Sequence, residues 1–359
     1  MIRTILILAI TVTTIGNGVS NAVQDDGPAF HEQVDLEPIG GLAVHVQGRI
    51  KSFGSHANAM MNAVSGPRSI NGQSPAFTYL DMLFRPEAYE DADCVYVKNK
   101  LVRNTVADAV VAANPDLEAR MSSFRDSGLV SPLILDRPEA AALLRRMESD
   151  LIRTAKQTDA IKSARAVMSP AFLLDRLRVI PPEPGMENEK WHGLSEIMFL
   201  PSTPSNFDAV LEGLPDQSPI PGLDPDGQRQ AAGAWRNLVN AWSEGDASGV
   251  NASAAILATT IRQLNAADYP STKRLSWENW YFEADQLTRG WLFYMLSIIL
   301  LLLGAIYRWK WAMWSGMAVF LGAFGFQTFA VGLRWWIAGR WPNSNMFEAV
   351  TTASWLGVL

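Results

Sequence analysis

Residues 291–307 read WLFYMLSIILLLLGAIY and residues 312–333 read AMWSGMAVFLGAFGFQTFAVGL, and neither run contains a charged residue. An apolar helix of ~20 residues is long enough to cross the hydrocarbon core of a bilayer. The two runs therefore predict two transmembrane helices, at about 291–307 and 312–333. The basic turn RWKW at 308–311 joins them.

Tryptophan is concentrated at the ends of these two runs. Ten of the thirteen tryptophans lie at or after Trp277. Indole side chains prefer the headgroup layer of a membrane, so this distribution predicts an aromatic belt that anchors the helices.

The charge of the chain is divided unevenly. Residues 286–359 contain five basic residues and one acidic residue, a net charge of +4, so the total of −6 leaves −10 for residues 1–285. An acidic body argues against a nucleic-acid partner, since binding phosphates needs clustered lysine and arginine.

The first 22 residues, MIRTILILAITVTTIGNGVSNA, have the pattern of a cleaved signal peptide: Arg3, an apolar run, and small residues before the expected cleavage site. An uncleaved anchor is the alternative. In both cases the body, residues 23–285, is expected outside the cytoplasm, and the turn at 308–311 inside it. The single cysteine, Cys94, excludes an internal disulfide.

The body is expected to be mostly helical, which makes the fold class mainly α. The alternation in LAVHVQGRI, residues 42–50, predicts a short β-hairpin that turns near Gly48. Residues 137–168 keep apolar residues at three-to-four spacing, and Trp235, Leu238 and Trp242 do the same further on.

No catalytic constellation is evident in the sequence. The four histidines have no metal-ligand spacing and are expected at the surface or in local hydrogen bonds: His31, His45, His56 and His192. No phosphate loop and no nucleophile elbow occurs, so nothing indicates phosphoryl transfer or hydrolysis. No metal site is predicted.

The second apolar run is followed by LRWWIAGRWPNSNMFEAVTTASW, residues 333–355. Its arginines and tryptophans suit a membrane interface. Asn345 is expected to cap a third helix from about residue 346, with Glu348 reaching back as in a capping box. Too few residues remain before 359 for this helix to span a bilayer, so we expect the chain to be truncated here.

This stretch resembles a segment of the CcsA/CcmF-type cytochrome c assembly proteins. There an Arg-Trp pair precedes Gly-(His or Arg)-x-Pro and Ser-Asn-x-(Tyr or Phe)-Glu, followed by an apolar helix that contains tryptophan. The matching residues here are Arg334, Trp335, Gly339, Arg340, Pro342, Ser344, Asn345, Phe347, Glu348 and Trp355.

Two other stretches are similar to the large ResB/CcsA-fusion type of this family. VQGRIKSFGSHA, residues 46–57, keeps Gly48, Arg49, Ile50 and Lys51 of a Gly-Arg-(Ile/Val)-Lys-Pro-Leu-Asp-Thr segment but not its second half. LSWENWYFEADQLTRGWLFYML, residues 275–296, resembles in altered form the lead-in to the first core helix.

The resemblance implies haem delivery and presentation at the outer face of the bacterial cytoplasmic membrane, for covalent attachment to apocytochrome c. It implies a ResB-type membrane subunit as partner and, at most, a part in a cytochrome c synthetase system. The family's Trp-x-Trp-Asp motif and flanking histidines have no counterpart here, so the axial ligands of haem carry over to no residue of this chain. Cofactor contacts are expected from Arg334, Trp335, Trp336, Arg340 and Trp341, for which membrane anchoring is the alternative.

A different class of function fits the same organisation. A non-catalytic membrane-anchored adaptor or sensor would also have a signal peptide, a helical outer domain and anchoring helices. A transporter is disfavoured, because neither apolar run contains an ionisable residue to mark a polar path.

Overall fold

A computed structural model of the chain describes residues 29–46, 48–150, 153–186, 189–198, 220–283, 290–338 and 346–357. These residues form a mainly helical structure with two short two-stranded sheets, which confirms the fold class in this coarse form. The predicted signal peptide at 1–22 lies outside the described residues.

The described part of the body, residues 29–283, contains thirteen α-helices. They are α1 Phe30–Gln33, α2 Glu37–Gly40, α3 Phe53–Ser65, α4 Pro75–Phe84, α5 Lys100–Ala113, α6 Glu118–Ser127, α7 Pro132–Leu135, α8 Pro138–Glu148, α9 Ala155–Val167, α10 Pro170–Arg176, α11 Pro225–Glu244, α12 Ala247–Leu264 and α13 Thr272–Glu283. Short 3-10 helices cover Pro86–Tyr89, Pro115–Leu117 and Leu194–Glu196.

The predicted hairpin is confirmed. Strands β1 (Ala43–Val46) and β2 (Arg49–Ser52) pair antiparallel. Gly48 has φ 74°, a left-handed conformation that glycine adopts without a Cβ clash. Ser52 ends β2 and also caps α3, because its hydroxyl accepts the N–H of Ser55 at 3.3 Å. A second pair, β3 (Val95–Tyr96) with β4 (Leu129–Val130), was not predicted.

Residues 137–168 form two helices, where the periodicity predicts one run. The helix starts at Pro138 as expected, but α8 ends at Glu148 and α9 begins at Ala155. The carboxylate of Asp150 accepts the N–H of Arg153 at 3.1 Å, and the Thr154 hydroxyl donates to the carbonyl of Met147 at 2.6 Å. Side chains of this kind compete with helical backbone hydrogen bonds, which explains the break.

One hydrophobic core extends through the body, with members from Leu36 to Leu264. The predicted face of α11 is buried in it, with Trp242 and Leu238 fully buried and Trp235 nearly so. The Trp242 ring lies 4.9 Å from the ring of Phe77 on α4, which joins the two helices.

Asp81 on α4 is a buried carboxylate within this core. It accepts hydrogen bonds from the Trp242 indole at 2.7 Å, the Tyr89 hydroxyl at 2.7 Å and the Arg85 Nε at 2.7 Å. Burial and the nearby Asp81 charge raise the pKa of Tyr89, so its hydroxyl stays protonated and able to donate. Three donors thus satisfy one buried charge.

Two further helices, α14 (Gly290–Tyr307) and α15 (Lys310–Ala338), form an antiparallel pair, here called the helix pair. Both are long and apolar enough to cross a membrane. In the most apolar 18-residue stretch of each helix, only 11% and 17% is buried, whereas the core helix of a soluble protein would be mostly buried. The second helix extends past the predicted 312–333 at both ends.

Small residues bring the helix pair close together. A Cβ at Gly304 would lie 2.8 Å from the backbone N of Met313, and one at Gly316 would lie 3.0 Å from the backbone N of Leu301. The Ser297 hydroxyl donates to the carbonyl of Gly316 at 2.9 Å. This packing of small residues is typical of helices that associate in membranes.

The last described helix, α16 (Met346–Leu356), packs on α15. The Gln327 amide donates to the Ser354 hydroxyl at 3.2 Å, and the Trp355 indole donates to the Thr328 hydroxyl at 2.9 Å. A third helix from residue 346 is therefore present, as the sequence predicts.

Candidate functional site

A cleft of about 450 Å³ lies where the body meets the end of the helix pair. Three segments that are distant in sequence form its walls: hairpin residues 48–51, helix α13 and the last turns of α15. We call it the junction cleft. The side chains used below are Arg49 and Lys51 from β2, Arg274 and Glu278 from α13, and Arg334 from α15.

A hydrogen bond between α13 and α15 closes one side of the junction cleft. The Arg274 Nε donates to the carbonyl of Ile337 at 2.9 Å. Carbonyls in the last turn of a helix have no partner within the helix and carry a partial negative charge, so a guanidinium is well placed there. The bond fixes the returning end of the helix pair against the body.

Glu278 is the one acidic side chain among the described residues that line the junction cleft. It is 6% exposed, and its Oε2 accepts the backbone N–H of Ser52 at 3.3 Å. Burial raises the pKa of Glu278 above its ordinary value of 4.5, against the opposing effects of the Ser52 bond and of Lys51, Arg334 and Arg274. Those three cations are close enough to act on the carboxylate.

The junction cleft is strongly cationic. The part of the lining that the structure describes has one carboxylate, that of Glu278, and four basic side chains: Arg49, Lys51, Arg274 and Arg334. Guanidinium groups in particular bind carboxylates and phosphates through paired hydrogen bonds. The arrangement suits binding of an anion, and no nucleophile paired with a general base occurs among the described lining residues.

The structure gathers some of the sequence-predicted site residues and separates others. Gly48, Arg49, Lys51 and Arg334 line the junction cleft. Trp335 and Trp336 do not line it, and they are 49% and 48% exposed on α15.

The remaining predicted residues are only partly described. Six of them lie outside the described residues: Gly339, Arg340, Trp341, Pro342, Ser344 and Asn345. Phe347 and Glu348 lie in the first turn of α16, but their side chains are not described, so the capping box remains a prediction.

Arg274 and Glu278 were not predicted as site residues. The sequence shows only that the two residues are four positions apart in a segment before an apolar run, which puts them on the same face of a helix. Their contacts with the hairpin and with α15 could not be read from that spacing.

None of the four histidines is among the described residues that line the junction cleft. His192 pairs with Glu196, Nδ1 to Oε2, at 2.7 Å, in agreement with the expected local hydrogen bond. The expectation is wrong for His56, which is 1% exposed and whose Nε2 has no hydrogen-bond partner among the described residues. Burial lowers its pKa to about 4, which keeps the ring neutral. Within the described ranges no group of three or more His, Cys, Asp or Glu could hold a metal ion.

Comparison with known proteins finds no family model that matches the chain and no matching curated protein. The resemblance to the cytochrome c assembly proteins therefore depends on the quoted residues and on where the fold puts them.

Replacing Glu278 by glutamine should change how stability depends on pH. The folded protein holds the Glu278 proton more tightly than the unfolded chain does, because the folded pKa is raised. The free energy of unfolding therefore falls as pH rises from about 4.5 through the raised pKa, and Glu278→Gln should remove this contribution. Unfolding measured at a series of pH values checks it, with exposed Asp108→Asn as control. Equal pH slopes for Glu278→Gln and the unmodified chain would contradict the expectation.

Proposed function

We propose that this chain is a membrane-anchored component of bacterial cytochrome c biogenesis, which handles haem at the outer face of the cytoplasmic membrane. One observation carries the proposal. The three stretches that resemble the assembly family, at 46–57, 275–296 and 333–355, each contribute residues to the junction cleft. Segments matched independently along the sequence thus meet at one place in the fold.

The position of the junction cleft supports an outer-face role. The helix pair leaves the body at α14 and returns to it at the end of α15, where Arg274 binds the Ile337 carbonyl. If the body is extracytoplasmic, as the proposed signal peptide at 1–22 requires, the junction cleft opens at the outer headgroup level. The turn around Arg308 then lies at the cytoplasmic side.

The lining of the junction cleft fits one part of haem. Four cations can pair with the two propionate groups, and Arg334 is the residue that the resemblance also selects. The described residues of the lining include no histidine, methionine or cysteine, so the cleft would orient the acidic edge of haem while an axial ligand comes from elsewhere. When bound, haem supplies the porphyrin that is joined to the Cys-x-x-Cys-His motif of apocytochrome c. The proposed protein partner is a ResB-type membrane subunit.

Disruption of this gene in its host tests the proposal. We expect c-type cytochromes to lose covalently bound haem almost completely, measured by haem staining of denaturing gels, while b-type haem spectra stay unchanged. Complementation with the Lys310→Gln variant should restore attachment, because Lys310 lies at the opposite end of the helix pair. Arg334→Gln should restore it less well. Normal c-type cytochromes in the disrupted strain would reject the proposal and favour the membrane-anchored adaptor.

A further inference from the structure

Among the described residues that line the junction cleft, basic side chains outnumber acidic ones. Four basic side chains stand beside the carboxylate of Glu278, so these five side chains sum to a charge of +3 when Glu278 is ionised. Cations gathered in a walled cleft repel one another, and an anion from solution or from the membrane relieves that repulsion.

The cleft is also located at the level expected for lipid headgroups. Ile337 and Arg334 belong to the last turns of the apolar helix α15, and Trp335 and Trp336 are about half exposed beside them. Tryptophan at the end of an apolar helix marks the membrane interface, where lipid phosphates are concentrated.

We propose that the junction cleft is an oxyanion-binding site at the membrane surface, in which Lys51 and Arg334 bind the anion and Glu278 weakens its binding by charge repulsion. The oxyanion is either the phosphate of an anionic phospholipid or a porphyrin carboxylate. The first source is independent of the proposed function, whereas the second rests on it. Both use the same cations, because phosphate and carboxylate oxygens accept from guanidinium and ammonium groups in similar geometry.

Replacing Glu278 tests the proposal, because the proposal predicts that the affinity for the anion rises. If the cations served only as partners of Glu278, the unmodified chain would show no preference for an anionic probe over its matched neutral probe. If they bind an external anion, Glu278→Gln should tighten binding, about fivefold for one opposing charge near the site. The glutamine keeps an oxygen that can accept the Ser52 N–H, so the local hydrogen bond can persist.

The experiment uses the full chain in an uncharged detergent with two pairs of probes. Short-chain phosphatidylglycerol is compared with phosphatidylcholine of equal acyl length by calorimetry. Metal-free protoporphyrin IX is compared with its dimethyl ester by quenching of tryptophan fluorescence, which needs no axial ligand and no haem attachment. A preference for the anionic lipid identifies the phosphate source, and a preference for the free acid over the ester identifies the carboxylate source.

The variants decide whether the junction cleft is responsible. The Lys51→Gln, Arg334→Gln double variant should weaken binding of the preferred probe about twentyfold, and Glu278→Gln should tighten it. Lys310→Gln is the matched control, because it removes a cation at the far end of the helix pair and should have little effect.

Three outcomes would overturn the proposal: no preference for either anionic probe, equal weakening by Lys310→Gln and the double variant, or no tightening by Glu278→Gln. A poorly folded Glu278→Gln variant cannot gain affinity, so the gain separates the proposal from general damage. These binding assays do not involve cytochrome c. Anion binding can therefore be found when the gene disruption leaves c-type cytochromes normal, and it can be missing when the disruption abolishes haem attachment.

Discussion

Replacing Asp81 by alanine is expected to lower the free energy of unfolding of the body by roughly 3–5 kcal/mol. The substitution leaves the Trp242 indole, the Tyr89 hydroxyl and the Arg85 guanidinium without their shared acceptor. Buried donors that lose their partner keep the cost of desolvation without the hydrogen bond. Urea unfolding followed by tryptophan fluorescence measures the loss, because Trp242 reports directly on this region.

The matched control is Asp108→Ala. Asp108 pairs with Arg125 at 2.8 Å, but its side chain is 69% exposed, so its removal should cost less than about 1 kcal/mol. Asp81→Asn should fall between the two, since the amide oxygen can still accept. Similar losses for Asp81→Ala and Asp108→Ala would mean that the buried network contributes little to stability.

Replacing Gly304 by leucine is expected to separate the helix pair and sharply reduce the amount of folded protein in the membrane. The new Cβ would lie 2.8 Å from the backbone N of Met313, and a backbone atom cannot move aside as a flexible side chain can. Overpacking costs about 1–3 kcal/mol where side chains can adjust, and we expect this site to reach the upper end. The readouts are the yield of detergent-extracted protein and its melting temperature.

Gly322→Leu is the control for hydrophobicity and helix propensity. Gly322 belongs to α15, and a Cβ there would meet no atom within 4 Å. The same substitution should therefore leave yield and melting temperature almost unchanged. If both variants behave alike, the close approach of the two helices is not what stabilises the pair.

Features with a strong local signal were predictable from sequence. The alternation around Gly48 predicts the hairpin, and the uncharged runs predict α14 and α15 because each pattern matches the period or length of its element. Each strand of the second sheet is only two residues long, too short to show alternation. The separation of α8 from α9 depends on side-chain hydrogen bonds that periodicity does not detect.

The candidate site was predictable only in part. The resemblance selects Arg49, Lys51 and Arg334, but it gives no reason for them to meet. The junction cleft depends on contacts such as that between Ser52 and Glu278, which are 226 residues apart in sequence. A contact of that range follows from how the body and the helix pair pack, and no local pattern encodes it.

The order of the three walls along the chain has a consequence for synthesis. The core of the body is formed by residues from Leu36 to Leu264, so it can assemble before either helix of the pair leaves the ribosome. The wall with Arg49 is made early, and the wall with Arg334 and Ile337 comes last. At a translation rate of ~5–20 residues per second, Arg334 is added on the order of 15 to 60 s after Arg49. The junction cleft is thus complete only after α15 has been synthesised and has packed against the body, so shorter nascent chains lack one of its three walls.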